Sequence, residues 1–184
     1  EYRLGSQGFR HPAPLEDAQA ALRTVRLRAA EFGVLPRKLG IMGSSAGGHL
    51  AAHTLTAWPR TDLGAALRPD FGVLCYPVIT MNGPHTHQGC RSLLAGPDAP
   101  DAILAELSCE RHVTAETPPC FIWHTAQDRS VPVENSLDFA AALRRNGVPF
   151  ELHVYARGGH GLGLRAPFNW AADCRRWLDQ ITAA

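Results

Sequence analysis

The sequence predicts an α/β fold in which helices cover a mostly parallel sheet. Three observations carry that prediction. Apolar strand-like runs alternate with helix-period segments, one strand passes through a glycine-rich turn directly into a helix, and no repeat or low-complexity tract suggests another architecture. Parallel strands need crossover connections, and these normally return as helices. At 184 residues the chain can bury one sizeable core, and a single domain over residues 1–184 is expected.

The opening EYRL reads as the tail of a strand, an extended aromatic stub with no earlier element to belong to. After HPAP a helix is predicted from Leu15 to Phe32. It places Ala18, Leu22, Val25, Ala29 and Phe32 on one face, with Glu16 and Asp17 in the first turn, where negative charge suits the helix dipole. Gly33 ends it. Lys38 to Met42 reads as a short strand leading into GSSAGG, followed by a helix from Ala46 to Ala57 that Pro59 stops. Phe71 to Tyr76 is a buried-strand candidate closed by Pro77. The Gly/His/Pro-rich stretch from Thr80 to Pro100 is expected to be a long excursion outside the core, of the kind that carries binding surfaces.

A short helix is predicted around Ala102 to Leu107, and Cys120 to Thr125 reads as the next strand. Val133 to Asn146 has helical periodicity, with Leu137, Ala140, Ala141 and Leu143 assigned to the inner side and Asn146 and Gly147 as the stop. Phe150 to Tyr155 is a further strand. A last helix is expected to start at Pro167, with Ala171, Cys174, Leu178 and Ile181 on its apolar face. About four strands result, so the first of them, Lys38 to Met42, would leave an apolar edge in need of cover.

Charge excludes several functions. The 18 basic and 17 acidic residues nearly cancel and neither sign forms a block, which argues against nucleic acid or an anionic membrane as partner and for a small neutral substrate. No apolar stretch approaches bilayer-spanning length, and the chain reads as soluble. The five cysteines show no CxxC pair and no regular spacing; Cys75 and Cys120 in strand-like runs and Cys174 in a helix-like one are expected as small buried hydrophobes, and a reducing cytoplasm is the expected setting. Most of Trp58, Trp123, Trp170 and Trp177 are expected in packing rather than in sugar stacking.

The chemistry is concentrated in Gly43-Ser44-Ser45-Ala46-Gly47, a G-x-S-x-G motif between a strand and a helix. Gly43 and Gly47 allow the sharp turn, Ser45 is the candidate nucleophile, and the amide of Ala46 is placed to donate to an oxyanion. A serine hydroxyl needs a base and the base needs an orienting group. His160, in the Gly158-Gly159-His160-Gly161 loop after a strand, supplies the base. Asp128, at the exit of the strand CFIWHT, supplies the acid; Asp138 competes but falls within a helical pattern. His124 is assigned to strand packing and His49 to a local hydrogen bond behind the nucleophile. The loop with Met81, His85 and His87 is the expected place for substrate contacts. No metal or cofactor is expected, because His85 and His87 lack a third ligand.

The blocks HPAPLEDAQAALR, IMGSSAGGHLAAH, VLCYPVI, FIWHTAQDRSVPVENSLDFAAALRRNGVPFELHVY and GGHGLGL together resemble the esterase/lipase branch of the α/β-hydrolase family, particularly acetylesterase and acetyl-xylan-esterase-like proteins. The resemblance covers nearly the whole chain. It implies a truncated α/β-hydrolase-like three-layer sandwich, a Ser45, Asp128 and His160 triad, hydrolysis of small carboxylic esters with acetylated sugars among the candidates, and a cytoplasmic location. It also implies additional strands and an HGGG-like oxyanion loop in front, which this sequence does not contain; weak turnover is then expected. A small serine peptidase, and a noncatalytic binding or assembly protein on the same framework, are the alternatives. Because the edge at Lys38 to Met42 and the apolar side of the first helix would be underprotected, a homodimer or larger assembly is expected.

Overall fold

The structure, a computed structural model, describes residues 1–58 and 64–183, the side chain at position 65 excepted. Four strands, β1 (Gly40–Ser44), β2 (Phe71–Cys75), β3 (Cys120–Thr125) and β4 (Phe150–Tyr155), form one sheet in the order β1-β2-β3-β4. Every pairing is parallel, with Ser44 opposite Cys75, Cys75 opposite Trp123 and Trp123 opposite His153. Seven α-helices lie among the described residues: α1 (Ala13–Leu27) and α2 (Ala29–Phe32) precede the sheet, α3 (Ala46–Ala57), α4 (Gln88–Leu94), α5 (Asp101–Leu107) and α6 (Glu134–Arg145) lie in the crossovers, and α7 (Trp170–Thr182) follows β4.

Strand alternation divides the core between the two faces of the sheet. Leu74, Cys120 and Ile122 point toward Ala51 and Leu55 of α3 and Phe139 and Leu143 of α6. Their neighbours Val73, Cys75, Phe121 and Trp123 point the other way, toward Trp170, Cys174 and Trp177 of α7. Helices therefore cover both faces, and the central strands β2 and β3 read as continuous apolar runs because neither face meets water. The four tryptophans are buried, and the five cysteines are buried free thiols. No helix among the described residues is long and apolar enough to cross a membrane.

Several predicted elements differ in the structure. The helix expected from Leu15 to Phe32 is divided at Arg28, whose ψ of 24° takes the chain out of helical phase. The stripe through Leu22 and Ala29 consequently does not reach Phe32, which is 48% exposed. The first strand runs from Gly40 to Ser44 rather than from Lys38 to Met42, because its ladder with β2 extends to the Ser44–Cys75 pair. The stop expected at Pro59 lies outside the described residues. On α6, Leu137 and Ala141 face solvent, while Asn135 and Ser136 are buried because hydrogen bonds hold them inside. Helix α7 starts at Trp170 instead of Pro167, since the Asn169 side chain accepts from the Ala172 amide at 3.2 Å and caps it there.

The stretch from Thr80 to Pro100 is not a loop outside the core. It contains α4, and Met81 is fully buried in an apolar cluster with Val78, Leu104, Leu107 and Val131. The amide of Asn135 fastens its beginning: the side-chain oxygen accepts from the amides of Ile79 at 2.8 Å and Thr80 at 3.2 Å, and the nitrogen donates to the carbonyl of His85 at 2.9 Å.

Candidate active site

Strand β1 delivers the chain to Ser45, and α3 begins one residue later. Ser45 has φ 56° and ψ −122°, a conformation that costs a non-glycine residue on the order of 1–3 kcal/mol. Surrounding bonds hold it there: its amide donates to the Cys75 carbonyl at 3.0 Å, and its carbonyl accepts from the amides of Val78 and His49, both at 3.1 Å. The turn demands a glycine at position 43, because a Cβ there would lie 2.0 Å from the carbonyl oxygen of Gly47. At Gly47 itself a Cβ would meet nothing nearer than the Tyr2 hydroxyl at 3.9 Å. The second position that excludes a side chain is Gly48, where a Cβ would lie 2.8 Å from Pro77; the motif-based reading missed it because Pro77 arrives from a distant part of the chain. Ala46, the first residue of α3, belongs to the first helical turn, whose amides lack intrahelical acceptors and favour negative charge.

His160 Nε2 lies 2.7 Å from Ser45 Oγ, and its Nδ1 lies 2.6 Å from Asp128 Oδ2. The three side chains predicted from motif order thus form one hydrogen-bonded row. The His160 loop is tied to the exit of β3, where the Thr125 hydroxyl donates to the Gly158 carbonyl at 3.0 Å and the Gly158 amide donates to Gln127 Oε1 at 3.3 Å. Gly158 has φ 136°, which glycine alone adopts readily. Tyr76 sets its ring edge-on to His160 with centroids 5.0 Å apart.

The Asp128 side chain has no solvent exposure. Burial alone would raise its pKa, but the Val131 amide, the His160 imidazole and the Ser130 amide together outweigh it and hold the carboxyl below its ordinary value. Oδ1 accepts from the amides of Ser130 and Val131, both at 2.9 Å, which leaves Oδ2 for His160. His124 is part of this arrangement as well as of the core. Its Nδ1 is 2.7 Å from the Ser136 hydroxyl, its Nε2 is 3.0 Å from the Val131 carbonyl, and the same Nε2 approaches Asp128 Oδ2 at 3.4 Å. Burial, the largest influence, lowers its pKa and favours the neutral ring. The strand-plus-four spacing to Asp128 was the available signal for it.

His49 is fully buried behind the nucleophile turn, with Nε2 2.7 Å from the Leu107 carbonyl. Burial brings its pKa down to about 4, against the opposing influence of that carbonyl. His87 caps α4, its Nδ1 accepting from the Cys90 amide at 3.0 Å, and His85 contributes its carbonyl to Asn135. Met81, buried in the core, does not reach an open surface. The structure therefore brings Ser45, Asp128 and His160 together but does not gather Met81, His85 and His87 into a common wall.

A parallel sheet with helices on both faces, a strained serine between β1 and α3, and a histidine and carboxylate from two later strand exits define an α/β hydrolase. Its esterase relatives are of the acetylxylan-esterase and acetylesterase type. Residues 13–184 match the model of the prolyl oligopeptidase family, and the chain belongs to that family. It is 44% identical over 158 residues to endo-1,4-beta-xylanase B of Butyrivibrio fibrisolvens, a match covering 83% of this chain and 25% of that one. It is 33% identical over 178 residues to the acetylxylan esterase of Xylanibacter ruminicola, covering 92% of this chain and 36% of the relative. The acetyl ester-xyloside bifunctional hydrolase from Caldicellulosiruptor lactoaceticus superposes with a TM-score of 0.89 at 41% identity, over 99% of this chain and 70% of that one. The chain thus spans about a quarter and about a third of the two curated relatives.

Proposed function

We propose that the chain is a serine carboxylic-ester hydrolase acting on small acyl esters, acetylated sugars among them, through an acyl-enzyme on Ser45. The observation that carries this reading is the Ser45–His160–Asp128 row, with contacts of 2.7 and 2.6 Å. In this mechanism His160 Nε2 takes the Ser45 proton as Oγ attacks the ester carbonyl, and Asp128 holds the proton on Nδ1 and stabilises the imidazolium. The Ala46 amide donates to the oxyanion. His160 then protonates the leaving alcohol, and water releases the acid by the same steps in reverse roles. Two matched relatives, named an acetylxylan esterase and an acetyl ester-xyloside bifunctional hydrolase, support the substrate class.

The test compares hydrolysis of acetate esters by the purified protein and Ser45→Ala, alongside labelling with a fluorophosphonate. Loss of both turnover and labelling in the variant is expected; equal turnover in the two proteins overturns the mechanism. A second reading, hydrolysis of short peptides by the same row, is favoured by the peptidase family to which residues 13–184 belong. Matched ester and peptide panels separate them, and turnover confined to peptides selects the second.

Self-association belongs to the same reading. β1 is an edge strand, Met42 on it is 59% exposed, and an apolar groove between it and α1 is lined by Leu22, Val25 and Ile41. A second copy laid against this edge would bury the groove and satisfy its main-chain groups. The five buried thiols support a reducing, cytoplasmic setting.

A further inference from the structure

His124 lies on β3 four residues before Asp128, and neither side chain has any solvent exposure. It shares a sheet face with Cys120 and Ile122, which pack against α6, so a ring with two polar atoms is stable there only if both are partnered. Both are. Nδ1 lies 2.7 Å from the Ser136 hydroxyl, and Nε2 lies 3.0 Å from the Val131 carbonyl and 3.4 Å from Asp128 Oδ2.

These partners fix where the ring proton sits. A carbonyl and a carboxylate can only accept, so Nε2 has to carry the hydrogen. The opposite tautomer would turn a lone pair toward two acceptor oxygens. Burial favours the neutral ring, which leaves Nδ1 as an acceptor, and the Ser136 hydroxyl donates to it.

The bond from His124 to Val131 also closes the loop that carries the acid. The Asp128 amide donates to the Thr125 carbonyl at 3.2 Å, Oδ1 accepts from the amides of Ser130 and Val131, and the Val131 carbonyl accepts from His124. Asp128 is thereby tied to β3 at both ends of its loop, with Oδ2 turned to His160 at 2.6 Å.

We propose that His124 is a positioning residue of the hydrolase: held by Ser136 as its Nε2–H tautomer, it fastens the Asp128 loop to β3 and sets a second N–H beside Oδ2, so that the carboxylate keeps the orientation His160 needs. The role rests on the hydrolase reading of the Ser45 row. Asp128 has to hold the proton on Nδ1 of His160 before attack and face the imidazolium during it. A carboxylate free to turn would let the imidazole drift from Ser45 Oγ, and a displacement of about 1 Å costs up to about 10² in rate. Ser136, in the first turn of α6, is the far end of a chain of side chains through His124, Asp128 and His160 to Ser45.

Two measurements test the role. Long-range nitrogen–proton NMR spectra of the histidine-labelled wild type read the tautomer without any substitution in the core. His124 is expected as Nε2–H, and an Nδ1–H ring overturns the proposal. Acetate-ester kinetics then compare His124→Leu, which removes the donor, with His124→Gln, whose amide keeps an N–H near the position of Nε2. Rates are counted per fluorophosphonate-reactive site, which removes the contribution of misfolded protein. For His124→Leu, kcat should fall about 10- to 100-fold with KM unchanged, the pattern of an interaction made only in the transition state. The low-field Nδ1–H proton resonance of His160 should broaden or move in the same variant. His124→Gln should recover most of the lost kcat and the resonance. An unchanged kcat and resonance in His124→Leu, or equal losses in the two variants, overturns the role of His124, while turnover by the wild type preserves the hydrolase reading. No ester turnover and no Ser45 labelling in the wild type overturns both.

Discussion

His124 places its Nε2 3.4 Å from Oδ2 of Asp128, the same oxygen that His160 holds at 2.6 Å. Two imidazoles therefore face one carboxylate oxygen, and burial keeps the inner ring neutral while the outer ring, 23% exposed, adjoins Ser45. Asp128→Asn replaces the acceptor with an amide that can donate to Nδ1 of His160, which moves the ring proton to Nε2 and removes the base. Steady-state kinetics should show kcat falling by about 10⁴ with the protein still folded. An unchanged kcat would remove Asp128 from the mechanism. The carboxyl's folded pKa lies below its ordinary 3.8, so its stabilisation is present at neutral pH and is lost as pH falls below 3.8 through the folded value. Urea unfolding of wild type and variant should differ less below that pH than above it.

His49 predicts a pH dependence at higher values. Its folded pKa, about 4, is below the ordinary 6.5, so the unfolded chain binds the extra proton first and stability falls as pH drops from 6.5 toward 4. Integrated between pH 7 and 4, this contributes on the order of 3 kcal/mol. His49→Gln retains a donor for the Leu107 carbonyl and lacks the titration. Its unfolding free energy should vary correspondingly less across this range; an identical pH profile would show that His49 is not responsible.

The two motif glycines should respond differently to alanine. Gly43→Ala forces a Cβ to within 2.0 Å of the Gly47 carbonyl and should cost about 3 kcal/mol or more, with ester turnover lost as the turn opens. Gly47→Ala meets nothing closer than 3.9 Å and should remain folded. Thermal unfolding of the pair checks the ranking, and the reverse order would contradict the geometry of the turn.

Asn135→Leu deprives the buried amides of Ile79 and Thr80 of their acceptor. The expected loss is about 3 kcal/mol, from donors left unsatisfied inside the protein. Chemical denaturation measures it directly. A neutral effect would mean that the segment after β2 finds other partners.

Self-association is checked by sedimentation at a series of protein concentrations. The wild type should form a dimer or larger assembly, and Met42→Lys, which sets a charge on the exposed edge of β1, should be monomeric at the same concentrations. A wild type that stays monomeric throughout would exclude the edge as a self-contact.

The sequence alone determined the alternation of strands and helices, the exact span of α3, β3 and β4, and the row Ser45, Asp128 and His160. These features are local: a glycine-bounded serine between a strand and a helix, and polar residues at strand exits, are set by neighbours within a few positions. Tertiary structure decided what depends on partners far along the chain. Asn135 and Ser136 are buried on α6, displacing Leu137 and Ala141 outward, because Ile79, Thr80 and His124 supply their hydrogen bonds. Gly48 is required by Pro77, and Met81 lies in the core because α5 and Val131 enclose it. Periodicity records only whether a side chain is apolar, whereas burial of a polar group is decided by whether the fold brings it a partner.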